Sequence, residues 1–94
     1  MARLAQAIPR LAESLPLERV VLFGSYATGR QTAASDLDVL VIYRGGPRVD
    51  AYQTVRRALG LPGVEPHVYT LEEARQLAPT LERMTRDGVT LYPC

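Results

Sequence analysis

The chain has 94 residues, an apolar fraction of 47% and a formal net charge of +1, from 11 arginines and 10 acidic residues. This length allows one domain, which we place at residues 1–94, and the apolar fraction excludes an intrinsically disordered chain. The near-neutral charge lacks the basic excess that is typical of nucleic-acid-binding proteins, so we do not expect a nucleic-acid partner.

The predicted location follows from the single cysteine and from the apolar segments. A lone Cys94 cannot form an internal disulfide, which is typical of proteins in a reducing compartment. The first residues lack the apolar core of a signal peptide, and no stretch reaches the about 20 apolar residues that a transmembrane helix needs. We therefore expect a cytoplasmic protein with no membrane partner.

The first predicted helix has apolar residues at spacings of three and four, which places them on one face. These residues are Leu4, Ile8, Leu11 and Leu15. Pro9 interrupts the pattern, and an interior proline costs a helix about 3 kcal/mol. The helix is therefore predicted to have a frayed first turn or to begin near Pro9, and to end at Pro16.

Two apolar runs rich in β-branched residues predict buried strands. The first run covers residues 19–23 and stops at Gly24 and Ser25. The second covers residues 36–43 and is the strongest strand pattern in the chain. Between them, residues 26–28 predict one helical turn, and the polar residues 31–35 predict a loop.

The second half of the chain is also predicted to alternate between helices and strands. Asp50 is the predicted N-cap of a helix that ends at Leu59, before the glycines of residues 60–63. Residues 64–70 predict a third strand, and Pro66 favours an edge position because it lacks a backbone donor.

A capping-box pattern at Thr70 and Glu73 predicts another helix, which Pro79 either divides or restarts and which ends at Gly88. Residues 89–92 then predict a short last strand. The fold class is α/β, with a mixed sheet of three to four strands flanked by helices.

The junction of the first strand with Gly24 and Ser25 is the first candidate for binding. A glycine permits a tight turn, and the free N–H groups at the start of a helical turn favour an anion such as a phosphate. The hydroxyl of Ser25 can donate to a phosphate oxygen. Taken alone, the same pair also fits a simple turn in which Ser25 caps a helix.

Asp36 and Asp38 are the second candidate, because they are two residues apart at the head of the second strand. Residues at this spacing point to one face of a strand, about 6–7 Å apart. Two close carboxylates repel each other unless a cation lies between them, and Mg²⁺ prefers carboxylate and phosphate oxygens. Taken alone, the pair is more typical of a solvated strand end.

Together, Gly24-Ser25, ten intervening residues and Asp36-x-Asp38 resemble the signature of the DNA polymerase beta-like nucleotidyltransferase superfamily, in particular its minimal nucleotidyltransferases. The resemblance implies a small palm-like domain in which Gly24 and Ser25 contact a nucleoside triphosphate. It also implies that Asp36 and Asp38 bind two Mg²⁺ ions, and that a third acid completes the metal site.

Glu65 is the candidate for this third acid. Strand alternation puts it on one face with His67 and Tyr69, and this face can meet Asp36 and Asp38 if the third strand pairs next to the second. Glu72 and Glu73 fit the first turn of a helix better. His67 shares the face of Glu65, and both a structural role and contact with substrate remain open for it.

One departure from the family pattern concerns the triphosphate. Members often have an arginine before the second glycine of the loop, whereas this chain has Thr28 before Gly29. Arg30 is the candidate to supply the missing charge.

The implied reaction is transfer of AMP from ATP to a hydroxyl, with a helical HEPN-type protein as the expected partner, as in toxin–antitoxin modules. The alternatives are a catalytically weak nucleotide-binding or partner-binding subunit and a transferase that acts on a small molecule. The edge strand also permits a homo-oligomer.

Overall fold

A computed structural model of the protein describes residues 2–23, 37–60, 64–86 and 88–92. Its helices are α1 (Ala2–Ser14), α2 (Ala51–Leu59), α3 (Leu71–Gln76) and α4 (Ala78–Met84). Its strands are β1 (Leu17–Phe23), β2 (Leu37–Tyr43), β3 (Val64–Thr70) and β4 (Val89–Tyr92). None of the helices in these ranges is long and apolar enough to cross a membrane.

The four strands form one mixed sheet in the order β3-β2-β1-β4. Strand β1 is antiparallel to both β2 and β4, whereas β2 is parallel to β3. The predicted α/β class with a mixed sheet is therefore confirmed. The edge position expected for the strand with Pro66 is also confirmed, because β3 has a neighbour on one side only.

One face of the sheet packs against α1 and α2 and carries the larger core. Its buried residues alternate along the central strands, as a period of two requires. The members from the strands are Leu17, Val20, Leu22, Val39, Val41, Tyr43 and Val64. The members from α1, α2 and the residue after α1 are Ala7, Ile8, Leu11, Leu15, Ala51, Val55, Ala58 and Leu59.

The opposite face packs against α3 and α4 and carries a smaller core. Its buried residues are Val21, Phe23, Leu40, Ile42, Ala74 and Leu81. Tyr69, Leu71 and Met84 pack against this cluster and are partly buried. Because β1 and β2 have helices on both faces, their apolar runs are nearly continuous, which is the pattern the sequence shows.

The start of α1 expected near Pro9 is wrong, because the helix runs from Ala2 through Pro9 to Ser14. Pro9 is on the exposed side of the helix, so its ring meets solvent. The neighbouring Ile8 and Leu11 are buried, and burying each such side chain contributes about 1.5–3 kcal/mol. This packing offsets the cost of the proline. The burial predicted for the Leu4 side chain lies outside what the structure describes.

Three predicted boundaries also change. Strand β1 begins at Leu17 rather than residue 19, because Leu17 pairs with Tyr43 across a bulge. Asp50 precedes α2 but makes no side-chain cap, because its carboxylate accepts from Arg48 at 3.3 Å. Helix α4 ends at Met84, before Gly88.

Three predictions about helix starts and ends are confirmed. Thr70 and Glu73 form both hydrogen bonds of a capping box, at 3.1 and 2.8 Å. Pro79 lies in the first turn of α4 and so restarts the helix after α3. Gly60 ends α2 with a φ of 59°, in the left-handed region that favours glycine.

Candidate functional site

Three neighbouring strands place one residue each side by side at one end of the sheet. Asp38, near the start of β2, is in register with Phe23 at the end of β1 and with Glu65 near the start of β3. Neighbouring strands are about 4.8 Å apart, and residues in register point to the same face. The face is that of the smaller core, since Phe23 belongs to it. Asp38 and Glu65 therefore lie next to each other, as their assignment to one site requires.

The two carboxylates differ in their surroundings. The side chain of Asp38 is 31% exposed, whereas Glu65 is exposed to solvent. Beyond Asp38, the strand is buried from Val39 to Tyr43, so its backbone is held by packing on both faces. Asp38 is thus an acidic group on a rigid element, which is what accurate positioning of a ligand needs.

His67 contacts Asp38 directly. Its ring Nε2 lies 3.3 Å from Oδ1 of Asp38, and both side chains are about one-third exposed. His67 is in register with Leu40, so its ring reaches back along the strand to meet the carboxylate. A deprotonated carboxylate can only accept a hydrogen bond, so Nε2 is the donor in this contact. Within the described residues, the second oxygen of Asp38, Oδ2, has no hydrogen-bond partner.

Phe23 supports the imidazole ring of His67 from β1. The two ring centroids are 5.3 Å apart, and the planes are tilted by 53°. This is the range in which aromatic rings attract each other. A contact on Phe23 and a hydrogen bond to Asp38 together restrict the orientation of the ring. The expectation that His67 shares a face with Glu65 holds, but the contact with Asp38 was not anticipated.

Several predicted site residues lie outside the described ranges: Gly24, Ser25, Arg30 and Asp36, together with the turn expected at 26–28 and the loop expected at 31–35. Cys94 lies outside them as well. The structure therefore brings together Asp38, Glu65 and His67, and the other assignments stay predictions.

The donor chemistry of the described part fits a hard cation. Asp38 and Glu65 supply carboxylate oxygens, the ligands that Mg²⁺ takes together with water and phosphate oxygens. Within residues 2–23, 37–60, 64–86 and 88–92, no group of three or more His, Cys, Asp and Glu side chains could hold a metal ion. Magnesium sites often use only one or two carboxylates, together with water and phosphate oxygens.

Comparison with known proteins gives the family and the fold. The family model described as a nucleotidyltransferase domain matches residues 4–90, which is nearly the whole chain. No curated protein matches the sequence. The similar solved structures described below are each under 25% identical to this chain, so they speak for the fold alone.

Three of these structures cover almost the whole chain. A crystal structure from Sulfolobus solfataricus, described as a nucleotidyltransferase, has 22% identity and a TM-score of 0.61, covering 95% of this chain and 76% of that one. A toxin–antitoxin complex with AMP-PNP has 22% identity and a TM-score of 0.59, covering 96% and 73%. A tri-AMPylated HEPN toxin with its MNT antitoxin, from Shewanella oneidensis, has 18% identity and a TM-score of 0.58, covering 96% and 70%.

Proposed function

The chain belongs to the nucleotidyltransferase domain family, and on that premise we propose that it transfers AMP from ATP to a hydroxyl acceptor in a Mg²⁺-dependent reaction. The observation that carries the proposal is the register of three strands, in which Asp38 lies between Phe23 and Glu65. Gly24 and Ser25 follow Phe23 directly in the sequence. The proposed phosphate-binding turn therefore begins directly after Phe23, the residue that pairs with Asp38.

We assign Asp36, Asp38 and Glu65 to metal binding and catalysis. The pairing of Asp38 with Glu65 supports this assignment, because two carboxylates on adjacent strands repel each other until a cation binds between them. Bound Mg²⁺ ions would supply positive charge for the attacking hydroxyl and for the departing pyrophosphate. We assign Gly24, Ser25 and Arg30 to the triphosphate.

In the proposed reaction, the acceptor oxygen forms a bond to the α-phosphorus and the bond to the β-phosphate oxygen breaks. Pyrophosphate leaves with that electron pair, and the hydroxyl proton passes to a base. We propose Glu65 as this base, because its carboxylate is exposed beside Asp38 and can meet an incoming hydroxyl. The chain's contribution is mainly to hold the reacting groups in place and to complement their charge.

His67 has a positioning role in this proposal. Its contact with Oδ1 restricts the rotation of the Asp38 carboxylate, and in this proposal Oδ2 binds the cation. Hydrogen bonds to ligand side chains from such outer groups typically change metal affinity or activity about 10–100-fold when they are lost.

We propose a HEPN-type protein as the acceptor and partner, in the cytoplasm where ATP and Mg²⁺ are available. The support is the similarity of fold to the MNT antitoxin of a complex whose HEPN toxin is AMPylated. A tyrosine, serine or threonine hydroxyl of the partner would be chemically suitable.

The test is to incubate the purified chain with Mg²⁺, ATP and the HEPN-type protein of the neighbouring gene. Intact-mass spectrometry should show the partner gaining one or more adenylyl groups, and omission of Mg²⁺ should prevent the gain. A partner that binds but stays unmodified, with the nucleotide bound and uncleaved, would instead support a binding subunit. Modification of a small hydroxyl compound but not the protein would support the small-molecule alternative.

A further inference from the structure

Helices α1 and α2 enclose a groove that lies across the sheet from Asp38. The end of α1 meets the start of α2, where Arg48 donates from Nη1 to the carbonyl of Ser14 at 3.0 Å. The groove has a volume of about 200 Å³. Its lining residues are Arg10, Ser14, Thr54, Arg57 and Ala58.

The lining residues recur at helical spacing on facing surfaces. Arg10 and Ser14 are four apart on α1, and Thr54 and Ala58 are four apart on α2, with Arg57 beside them. Ala58 is buried in the larger core, so it forms the floor of the groove. Arg10 and Ser14 thus line the groove from α1, and Thr54 and Arg57 line it from α2. The hydroxyl of Ser14 donates to the carbonyl of Arg10 at 3.3 Å.

The charges of the groove are unbalanced. Among the described residues, neither Arg10 nor Arg57 forms an ion pair, and none of those that line the groove is acidic. Arg48 adds a further guanidinium at the Ser14 end, although its second nitrogen is paired with Asp50. Cationic side chains that line one groove without a counter-charge favour the binding of an anion.

Helix polarity alone does not explain this arrangement. Arg56 and Arg57 both lie in the last turn of α2, where cations complement the helix dipole. Arg56 nevertheless points elsewhere, 3.5 Å from the hydroxyl of Tyr52, and does not line the groove. The helix dipole explains a cation at position 56 or 57. It does not explain why Arg57 lines the same groove as Arg10 of the other helix.

We propose that this groove is a second ligand site, which binds the phosphate groups of a small anion such as pyrophosphate or a nucleotide. Guanidinium groups form paired hydrogen bonds to phosphate oxygens. Two of them on opposite walls suit a group that presents oxygens in several directions, as a phosphate does better than a planar carboxylate. The site is separate from the proposed transfer site, because the whole sheet lies between them.

The test is a titration of the ¹⁵N-labelled chain with sodium pyrophosphate, and in a second arm with ATP, both in EDTA at constant ionic strength. Amide signals of Arg10, Ser14, Thr54 and Arg57 should shift with saturation. Loss of a hydrogen bond to a charged group costs about 1.5–3 kcal/mol, so Arg10→Gln and Arg57→Gln should each raise Kd about tenfold or more. Saturation by ATP alone would identify a nucleotide, and saturation by both would identify the phosphate groups as sufficient.

Arg56→Gln is the matched control, since it removes the same charge one residue away and should change Kd less than about twofold. Asp38→Asn should leave the titration unchanged, which separates this site from the proposed transfer site. Equal loss in Arg56→Gln and Arg57→Gln, shifts that do not saturate, or saturable shifts at Asp38 with none at Arg10 and Arg57 would each overturn the proposal.

Discussion

The two faces of the sheet use the same strands for different purposes. Towards α1 and α2, the strand residues are apolar from one end to the other, from Leu17 to Leu22 and from Val39 to Tyr43. Towards α3 and α4, apolar residues fill only part of the face, and Asp38, Glu65 and His67 lie at one end of it.

The comparison explains how a short chain can hold a rigid acidic site. Asp38 belongs to the open part of one face, but its neighbour Val39 points to the other face and is fully buried. Packing on the α1 and α2 side therefore fixes the backbone of a residue whose side chain meets solvent. Changes on the two faces should consequently separate into losses of activity and losses of stability.

The largest expected effect is from Asp38→Asn, which keeps the shape of the side chain and removes its charge. Transfer to the partner should fall about a thousand-fold, equivalent to about 4 kcal/mol in the barrier, as for other groups that stabilise charge in a transition state. The initial rate of adenylylation measures the effect. Asp50→Asn, the same change at an exposed residue outside the site, should retain the rate, and an equal loss there would contradict the assignment.

The next largest effect should come from the opposite face, with Leu11→Ala. Leu11 is fully buried in α1, and truncation of such a leucine costs about 2–5 kcal/mol of the free energy of unfolding. Urea denaturation measures the loss. Transfer per folded molecule should be unchanged. Leu77→Ala, at a residue 40% exposed between α3 and α4, is the control and should cost less than about 1 kcal/mol.

His67 tests whether the contact with Asp38 orients the carboxylate. His67→Leu should lower transfer about 10–100-fold through kcat, because the hydrogen bond to Oδ1 is lost. His67→Gln keeps a donor and should recover most of the rate. If the two variants are equally impaired in transfer and equally destabilised, the residue has only a packing role.

The smallest of these effects concerns the start of α3. Thr70 is buried, and its hydroxyl accepts from the backbone of Glu73. Thr70→Ala should lower the free energy of unfolding by about 1 kcal/mol, which thermal denaturation detects. Thr70→Ser keeps the hydroxyl and should lose less. The rate of transfer should stay constant in both, because Thr70 is at the end of β3 away from Glu65.

Local patterns in the sequence predict the elements well where one residue type has one physical role. Alternation predicts the two faces of β3, and the pair Thr70 and Glu73 predicts the start of α3. The predictions based on Pro9 and Asp50 are wrong because contacts with other parts of the chain determine the local structure. Burial of its neighbours stabilises α1 across Pro9, and Arg48 pairs with the carboxylate of Asp50.

Contacts between strands are harder to predict, because they depend on strand order and register. The spacing of Asp36 and Asp38 and the face of Glu65 are visible in the sequence. The hydrogen bond between Asp38 and His67 is not, since it requires β2 and β3 to be parallel neighbours with Asp38 opposite Glu65. The position of Arg10 and Arg57 around one groove likewise depends on how α1 and α2 pack.

Replacement of Mg²⁺ by Mn²⁺ in the presence of a non-hydrolysable ATP analogue tests the acidic site most directly. The unpaired electrons of Mn²⁺ broaden the NMR signals of nearby nuclei, so the amide signals of Asp38 and Glu65 should disappear first. The signals of Tyr43 and Thr70, at the far ends of the same two strands, should persist. Broadening centred on those far ends, or none at Asp38 and Glu65, would contradict a metal site at these carboxylates.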